Sequence, residues 1–336
     1  MKKLFIGIDI SKDNLDVCCI EASSEKKLLE FKVKNTESGI VSILKKVSRL
    51  KFSESNTWYC FEHTGTYGYL LAYLFNEKEV CYSCVPGLEI KRSIGITRGS
   101  NDKVDAQRIA LYACRHRKKL EPSKFPSETI LKIKNCLACR KQLMKISTQL
   151  KNSIHSHKLV NKIVDNQIVI DELTNQLKAV TASLRKIEKE IIKLVKQDES
   201  VYKNYKLINS VVGIGPIIGA HMIVYTANFQ SFSEARKFNC YAGIAPFSNN
   251  SGTSIHTKPK VNNMANKQIK KLLSNGANSA VRHDPELRKY YLRKINEGKQ
   301  HNSIINAVCC KLVARMFAVI ARQTEFVHIY SYSLNA

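Results

Sequence analysis

Acidic residues are scarce in this chain of 336 residues, which has 28 Asp and Glu against 54 Lys and Arg and a formal net charge of +26. Such a surface repels itself unless a polyanion neutralises it, so the expected partner is nucleic acid or an anionic membrane. Long apolar runs are also lacking: glycines and Pro216 interrupt the stretch Val211 to Val224, and Asp9 cuts short the apolar N-terminal segment. We therefore expect a cytoplasmic protein with no membrane partner.

The cysteine count argues against a disulfide framework, because eleven is an odd number and a cytoplasmic chain keeps its thiols reduced. Two pairs have Cys-x-x-Cys spacing, Cys81 with Cys84 and Cys136 with Cys139. The first pair lies in a strand pattern, where residues three apart face opposite sides, and the second lies in a helical pattern without a knuckle glycine. Buried structural thiols are the favoured interpretation, and a zinc site is the alternative.

The hydropathy pattern divides the chain into three segments, 1–120, 121–202 and 203–336. The first alternates strand-like and helical runs in the order βββαβαβα, beginning with a strand from Lys3 to Ile10. Three antiparallel strands followed by parallel strands, with helices on both faces, make an α/β sandwich. This order predicts an RNase H-like fold.

Segment 121–202 is free of glycine and has the pattern of long helices. Apolar residues recur at alternating spacings of four and three from Leu173 to Leu194, as in a coiled coil. This pattern predicts a coiled-coil hairpin or dimerisation stalk, and a helical bundle within one chain would bury the same stripe equally well. The first part, Lys132 to Lys162, has basic residues and no acid, which favours contact with phosphates.

Segment 203–336 is predicted to be mainly helical, with glycine-containing turns. Between Ser200 and His283 its only acidic residue is Glu234, so we expect a second basic surface over Lys203 to Lys271. The turn at Gly213 and Gly215 resembles a helix-hairpin-helix element, in which backbone N–H groups approach a DNA phosphate. A packing turn between two core helices is the alternative.

Four carboxylates are expected to converge in segment 1–120. Asp9 ends the first apolar strand, where a lone carboxylate is costly unless it is paired or metal-bound; a cap of the following turn is the alternative. Glu62 ends the fourth strand, which lies beside the first in this fold. Asp102 and Asp105 share one face of a helix. Such a cluster repels itself unless divalent cations bind, and oxygen ligands suit Mg²⁺ or Mn²⁺. The constellation predicts metal-dependent phosphoryl transfer on nucleic acid.

The sequence around these carboxylates resembles a known family. Gly-Ile-Asp-Ile-Ser at Asp9, Phe-Glu-His-Thr-Gly at Glu62, and Asn-Asp-Lys-Val-Asp-Ala-Gln-Arg at Asp102 and Asp105 resemble the DEDD motif of the transposases related to the Piv invertase. This is the insertion-sequence family numbered one hundred and ten, whose members are described as bridge-RNA-guided recombinases. The resemblance implies a RuvC-like domain over 1–120.

The last segment continues the resemblance. Tyr-Ala-Gly-Ile-Ala-Pro from Tyr241, then Ser251-Gly252, then the block Asn266 to Leu272 follow the family pattern in order, whereas Asn263 and Ala265 depart from it. The implied architecture is a helical coiled-coil linker over 121–202 and a mainly helical transposase domain over 203–336.

The resemblance also implies a serine nucleophile, which by position is Ser251; Ser248 and Ser254 are the alternatives. Lys258 and Lys260 follow closely enough to hold a phosphate. Further nucleic-acid contacts are expected from the matched block, at Lys267, Lys270 and Lys271. The implied partners are donor and target DNA, a noncoding bridge RNA, and further copies of the chain in a dimer or tetramer, associated with a prokaryotic nucleoid.

Three functions are compatible with these residues. The leading hypothesis is a Mg²⁺- or Mn²⁺-dependent DNA recombinase that mobilises an insertion sequence through a phosphoserine link, at sites chosen by RNA. The second is a structure-specific endonuclease of the Holliday-junction resolvase type, which uses the carboxylates alone. The third is a non-catalytic nucleic-acid-binding protein, whose affinity falls steeply with salt but which makes no metal-dependent product.

Overall fold

The computed structural model describes residues 2–95, 101–251, 255–261 and 264–327. The chain divides into two compact units, Met1–Phe125 and Pro126–Ala336, and each unit has its own hydrophobic core. All eleven cysteines are free thiols, as predicted.

The first unit is an α/β sandwich. Its strands are β1 Leu4–Ile10, β2 Asn14–Glu21, β3 Lys27–Lys34, β4 Thr57–Glu62 and β5 Tyr82–Val85, and its helices are α1 Glu37–Ser48, α2 Tyr69–Glu77, α3 Gly87–Ile94 and α4 Asp102–Arg115. The strand order is β3-β2-β1-β4-β5. Strands β1, β2 and β3 are antiparallel, and β1, β4 and β5 are parallel. The predicted RNase H-like fold is therefore confirmed.

Different helices cover the two faces of this sheet, because alternate residues of a strand point to opposite sides. Ile6 and Ile8 of β1 face α1 and α2 in one core cluster, whereas Phe5 joins residues of α4 in another. Gly7 also faces α4, where an added Cβ would collide with the carbonyl oxygen of Ala106 and the amide nitrogen of Ala110. The absent side chain thus lets α4 lie directly on β1.

The second unit is mainly helical. Its elements are α5 Glu128–Val160, α6 Gln167–Gln197, α7 Glu199–Asn209, α8 Pro216–Tyr225, α9 Ala235–Ala242, the strands β6 Pro246–Ser251 and β7 Ile255–Val261, α10 Lys267–His283, α11 Pro285–Asn296 and α12 His301–Arg322. Strands β6 and β7 form a two-stranded antiparallel ribbon. The helices pack around one core to which α5, α6 and α12 all contribute.

Helices α5 and α6 form an antiparallel hairpin. Ser127 caps the start of α5, and an ion pair of 2.7 Å joins Arg140 of α5 to Glu188 of α6. The stripe predicted to form a coiled coil is half-buried along the hairpin and fully buried at Ile191 and Leu194. Because these two residues belong to the core of the second unit, segments 121–202 and 203–336 share that core at the base of the hairpin.

One apolar helix was overlooked in the sequence. By length and composition α12 could cross a membrane, although the sequence pattern placed the longest apolar stretch at Val211 to Val224. Eight residues of α12 are buried in the protein, among them Leu312 and Met316 of the core of the second unit. This helix is therefore a central helix of a folded core, and Lys311 and Arg315 interrupt its apolar sequence.

Candidate active site

Asp9 lies near the end of the central strand β1, on the face covered by α4. Its partner across the antiparallel β1–β2 pair is Asp16, and the partner of Asp16 on β3 is Lys32. Residues paired in this way point to the same face of a sheet, so two carboxylates and one ammonium group form a row. Asp16 is 3% exposed, and its Oδ2 lies 3.0 Å from the Nζ of Lys32.

Glu62 extends this row on the other side of Asp9. Strands β1 and β4 are paired up to Ile8 and Phe61, so the next residues, Asp9 and Glu62, lie side by side at the carboxyl ends of two parallel strands. A Cβ on Gly87 would collide with the carboxylate of Glu62. Glycine at this position therefore provides the space that Glu62 occupies.

Helix α4 brings the other two predicted carboxylates to the same edge. Asn101 caps the helix by accepting a hydrogen bond from the amide of Val104, and Asp102 and Asp105 lie in the first turn. Asp105 is paired with Arg108 at 2.8 Å, while Asp102 is 3.5 Å from Lys32. We call the five carboxylates the acidic edge: Asp9, Asp16, Glu62, Asp102 and Asp105.

The electrostatics of Asp9 show that these groups are close. Burial, followed in order of size by the negative charges of Asp105, Asp102, Asp16 and Glu62, raises the pKa of Asp9 to about 6. A carboxylate with a raised pKa among other carboxylates lacks a compensating cation. The carboxylates that raise the pKa of Asp9 include the other three predicted from the sequence, and their role as metal ligands stays a prediction.

The donor chemistry of the acidic edge fits a hard divalent cation, because all five side chains offer carboxylate oxygens. Within the described part of the chain, however, no three Asp, Glu, His or Cys side chains are arranged to hold a metal ion as they stand. Lys32 and Arg108 bind three of the carboxylates. A metal ion at Asp9 would therefore draw Asp102 and Asp105 away from these cationic partners.

Sequence reasoning missed Asp16 and Lys32. Both lie within predicted strands, and the signal that identifies them is register: a short turn after β1 places Asp16 opposite Asp9, and the next strand places Lys32 opposite Asp16. An acid buried in the middle of a sheet is uncommon without a partner. Asp16 is thus the fifth carboxylate of the site, and Lys32 is its counter-ion.

The predicted nucleophile lies in the second unit. Ser251 is the last residue of β6 and pairs with Ile255 of β7. Ser254 and Gly252 lie outside the described residues, as do the side chains of Ser248, Ser251, Lys258 and Lys260. The backbone therefore puts Ser251 at the end of a ribbon, and its role stays a prediction.

The glycine turn joins α7 to α8. Gly213 has a φ of +94°, and a Cβ there would lie 2.5 Å from the carbonyl oxygen of Gly276 in α10. Packing of two backbones is thus sufficient to explain this glycine. Gly215 has open space where a Cβ would lie and precedes the first residue of α8, so a phosphate contact there stays a prediction.

The three lysines of the matched block lie on α10. Asn266 caps this helix by accepting hydrogen bonds from the amides of Gln268 and Ile269. Lys267 and Lys271 are exposed and line a groove with basic residues of α5, whereas Lys270 is half-buried outside the groove lining. Two of the three lysines therefore share a surface.

Comparison with known proteins relates both units to one family. A transposase model of the DEDD IS110 type matches residues 6–160, and the model described as "Transposase IS116/IS110/IS902 family" matches residues 205–292. Together the two matched segments cover more than half of the chain.

Two proteins and one solved structure are similar to this chain. The pilin gene-inverting protein of Moraxella bovis is 26% identical over 336 residues, covering 97% of this chain and 98% of that protein. The 43.6 kDa protein of insertion element IS110 from Streptomyces coelicolor is 29% identical over 159 residues, covering 47% of this chain and 38% of that protein. RuvC of Thermus thermophilus, solved with a Holliday junction substrate, has a TM-score of 0.28 and 12% identity, covering 35% of this chain and 96% of that chain. From the two family matches, the chain belongs to the IS110 family of insertion-sequence transposases.

Proposed function

We propose that this transposase cuts and rejoins DNA strands by metal-dependent phosphoryl transfer at the acidic edge. The observation that carries the proposal is Asp9: it is half-buried on the central strand and has a pKa raised to about 6 by burial and by the surrounding acids. Mg²⁺ or Mn²⁺ would be held by Asp9, Glu62, Asp102 and Asp105. Bound there, the ion supplies Lewis-acid stabilisation of the charge that develops on the scissile phosphate.

The remaining residues of the site position these ligands. Gly7 allows α4 to approach β1, which sets the distance from Asp9 to Asp102 and Asp105. Lys32 binds both Asp16 and Asp102, so it holds these two carboxylates in place before a divalent cation binds. Half of the Lys32 side chain is accessible to solvent, which leaves it free to move toward a phosphate.

The strand exchange proceeds through Ser251. Its Oγ bonds to phosphorus, the bond from phosphorus to the leaving sugar oxygen breaks, and the hydroxyl proton passes to a base. The end of the β6–β7 ribbon and the serine-glycine pair support this assignment over Ser248 within the strand. A bridge RNA selects the DNA sites, and the net charge of +26 supports simultaneous binding of RNA and DNA.

A dimer or tetramer completes the proposal. Five apolar side chains are exposed where α5 ends and α6 begins, and Ile163 and Ile168 are 87% and 82% exposed; the set is Leu159, Val160, Ile163, Val164 and Ile168. Contiguous exposed apolar patches mark sites of interaction with other proteins or with membranes. Sedimentation of the wild type should show a dimer or larger, and the double change of Ile163 and Ile168 to Ser should shift it toward monomer. A wild type that sediments only as a monomer contradicts this part.

A recombination assay with the flanking DNA and noncoding RNA tests the proposal. Asp9→Ala and Ser251→Ala should each abolish recombination, whereas Asp13→Ala at an exposed neighbouring acid should not. A protein–DNA adduct should form with wild type and be lost in Ser251→Ala but kept in Ser248→Ala and Ser254→Ala. Cleavage that survives in Ser251→Ala without any adduct favours the resolvase-type endonuclease. No metal-dependent product with any substrate favours the binding protein.

Inversion of a DNA segment is a second candidate function. The relative from Moraxella bovis, named for inverting a pilin gene, is similar over nearly the full length of both chains. Inversion and insertion use the same strand exchange and differ in how the two sites are arranged. A plasmid that carries two sites in opposite orientation distinguishes them, because an invertase flips the intervening DNA without inserting new sequence.

A further inference from the structure

We propose that a groove between α5, α8 and α10 in the second unit binds a single-stranded nucleic-acid segment, with phosphates on its lysines and an unstacked base on its apolar floor. The inference rests on the proposed function, because it assigns a site to one of the nucleic acids that the recombinase must hold. Each of the three helices contributes side chains to the lining of the groove. The groove encloses about 670 Å³, within the range of about 300–1,000 Å³ typical of ligand sites.

Charge is the first observation. Arg140, Lys141 and Lys145 line the groove from α5, and Lys267 and Lys271 line it from α10. Arg140 is paired with Glu188, but none of the four lysines has an ion pair with any carboxylate in the described part of the chain. Four exposed ammonium groups around one concave surface repel one another. A ligand with several negative charges relieves this repulsion, and a phosphodiester backbone supplies them at regular spacing.

The floor of the groove is the second observation. Leu137, Met144 and Leu272 lie among the lysines, and Met144 is 43% exposed. A duplex presents its phosphates on a ridge and keeps its bases stacked inside, so these apolar side chains would have no contact with it. A single strand can turn an unstacked base onto an apolar floor while its phosphates reach lysines on the rim.

His221 is the third observation. It lines the groove from α8 and is only 4% exposed, yet its ring nitrogens form no hydrogen bond with any residue of the described ranges. Its ring stacks on Tyr225 with an interplanar angle of 15°. Burial, together with the nearby positive charges of Arg140 and Lys141, lowers the pKa of His221 to about 4, so the imidazole is neutral. A neutral imidazole that lines a groove can donate to and accept from a base edge or a phosphate.

The polar groups of the rim suit the same ligand. Gln149 of α5 and Gln268 and Asn275 of α10 also line the groove, and their side-chain amides can both donate and accept hydrogen bonds. The N-terminus of α10, capped by Asn266, begins at Lys267, which adds the positive end of a helix dipole to this surface. The groove thus offers lysines to the phosphates, apolar side chains to the face of a base, and side-chain amides to its edge.

Fluorescence anisotropy on the full chain tests the inference, with labelled single-stranded RNA, single-stranded DNA and duplex DNA as probes over a range of salt. The double variant Lys141→Gln with Lys271→Gln should weaken single-strand binding at least tenfold and reduce the slope of log affinity against log salt by about 1.4, because each lost phosphate contact removes about 0.7. The matched control, Lys178→Gln with Lys186→Gln, removes two exposed lysines from α6, where acids are interspersed. It should change the affinity less than twofold.

A second variant tests the floor. Met144→Gln keeps the charge and the exposed helix position, so it should weaken single-strand binding about three- to tenfold while leaving the salt slope unchanged, because it removes an apolar contact to a base and no phosphate contact. Probes containing 4-thiouridine or 4-thiothymidine should crosslink to α5 between 140 and 149 or to α10 between 267 and 275. Comparison of the affinities for single-stranded RNA and single-stranded DNA identifies which of the two the groove binds.

The outcomes separate this inference from the proposed function. Equal effects of the groove and control variants, or a loss confined to duplex DNA, overturn the groove assignment while the recombinase survives. Failure of the wild type to bind any probe contradicts both. Groove variants that lose single-strand binding, while the control variants on α6 keep it, confirm the groove as a binding site.

Discussion

The two units place an aspartate in opposite surroundings, Asp284 in the second unit and Asp9 in the first. Asp284 of the second unit is fully buried, accepts a hydrogen bond from the amide of Leu287 at the start of α11 and binds Arg315 at 2.6 Å. Asp9 of the first unit is half-buried and faces four other carboxylates, which help to raise its pKa. A buried carboxylate with a cation and an amide stabilises a fold, whereas one placed among acids is costly unless a ligand compensates it.

The largest expected effect comes from removing the charge of Asp9. Asp9→Asn should lower recombination about a thousandfold or more, because a metal ligand contributes several kcal/mol to the transition state. It should also raise the Tm of the metal-free protein at pH 8. The pKa of Asp9 is about 6 in the folded chain against 3.8 for an ordinary carboxyl, so the folded chain holds this proton more tightly. Stability is therefore lost as pH rises from about 4 through 6.

Thermal unfolding in EDTA at pH 5 and pH 8 measures this dependence of stability on pH. Wild type should lose more stability between the two pH values than Asp9→Asn does, and Asp13→Asn, at an exposed acid on the adjoining turn, should behave as wild type. Added Mg²⁺ or Mn²⁺ should raise the Tm of wild type and leave that of Asp9→Asn unchanged. Identical pH dependence in wild type and Asp9→Asn would show that the negative charge of Asp9 does not destabilise the folded chain.

The next largest effect concerns Asp284, where the same kind of change should act on the fold alone. Asp284→Ala leaves Arg315 without its buried partner and removes the cap of α11, so it should cost about 3 kcal/mol of stability or more. Chemical denaturation measures this loss. Glu286→Gln, which removes the 54% exposed partner of Arg315, is the control and should cost less than about 1 kcal/mol. An Asp284→Ala protein as stable as the control contradicts the contrast between the two aspartates.

The pairing register of the strands explains how much of the fold and of the acidic edge could be predicted from the sequence. The order of elements along the chain and helix α4 follow from periodicity, because strand ends and helix faces depend on local spacing. The RNase H-like fold that this order predicts then places Glu62 beside Asp9. Asp16 and its partner Lys32 were not predicted, since their place beside Asp9 depends on pairing across three strands. In the same way, the groove of the second unit combines three helices that are far apart in the sequence. Local spacing cannot show which helix faces meet.

A smaller effect is expected where α4 touches β1. Gly7→Ala places a Cβ against the backbone of Ala106 and Ala110, and neither backbone can yield as a flexible side chain could. Overpacking of this kind costs about 1–3 kcal/mol, and the shift of α4 should move Asp102 and Asp105 enough to lower recombination more than tenfold. Gly68→Ala is the control, because its φ is −85° and its new Cβ would lie at an ordinary contact distance of 3.4 Å from its neighbours. Recombination at the wild-type level in Gly7→Ala would mean that the acidic edge tolerates movement of α4.

The smallest effect on stability separates the two glycines of the turn between α7 and α8. Gly213→Ala should destabilise the second unit by about 2 kcal/mol, because its φ of +94° and its contact with Gly276 both exclude a side chain. Gly215→Ala should change stability by less than about 0.5 kcal/mol, because its φ is −87° and nothing lies near the new Cβ. If backbone N–H groups at this turn bind a DNA phosphate, the added methyl group should still weaken duplex binding severalfold. Unchanged binding by Gly215→Ala assigns the turn to packing alone, as the contact of Gly213 with α10 already suffices to explain.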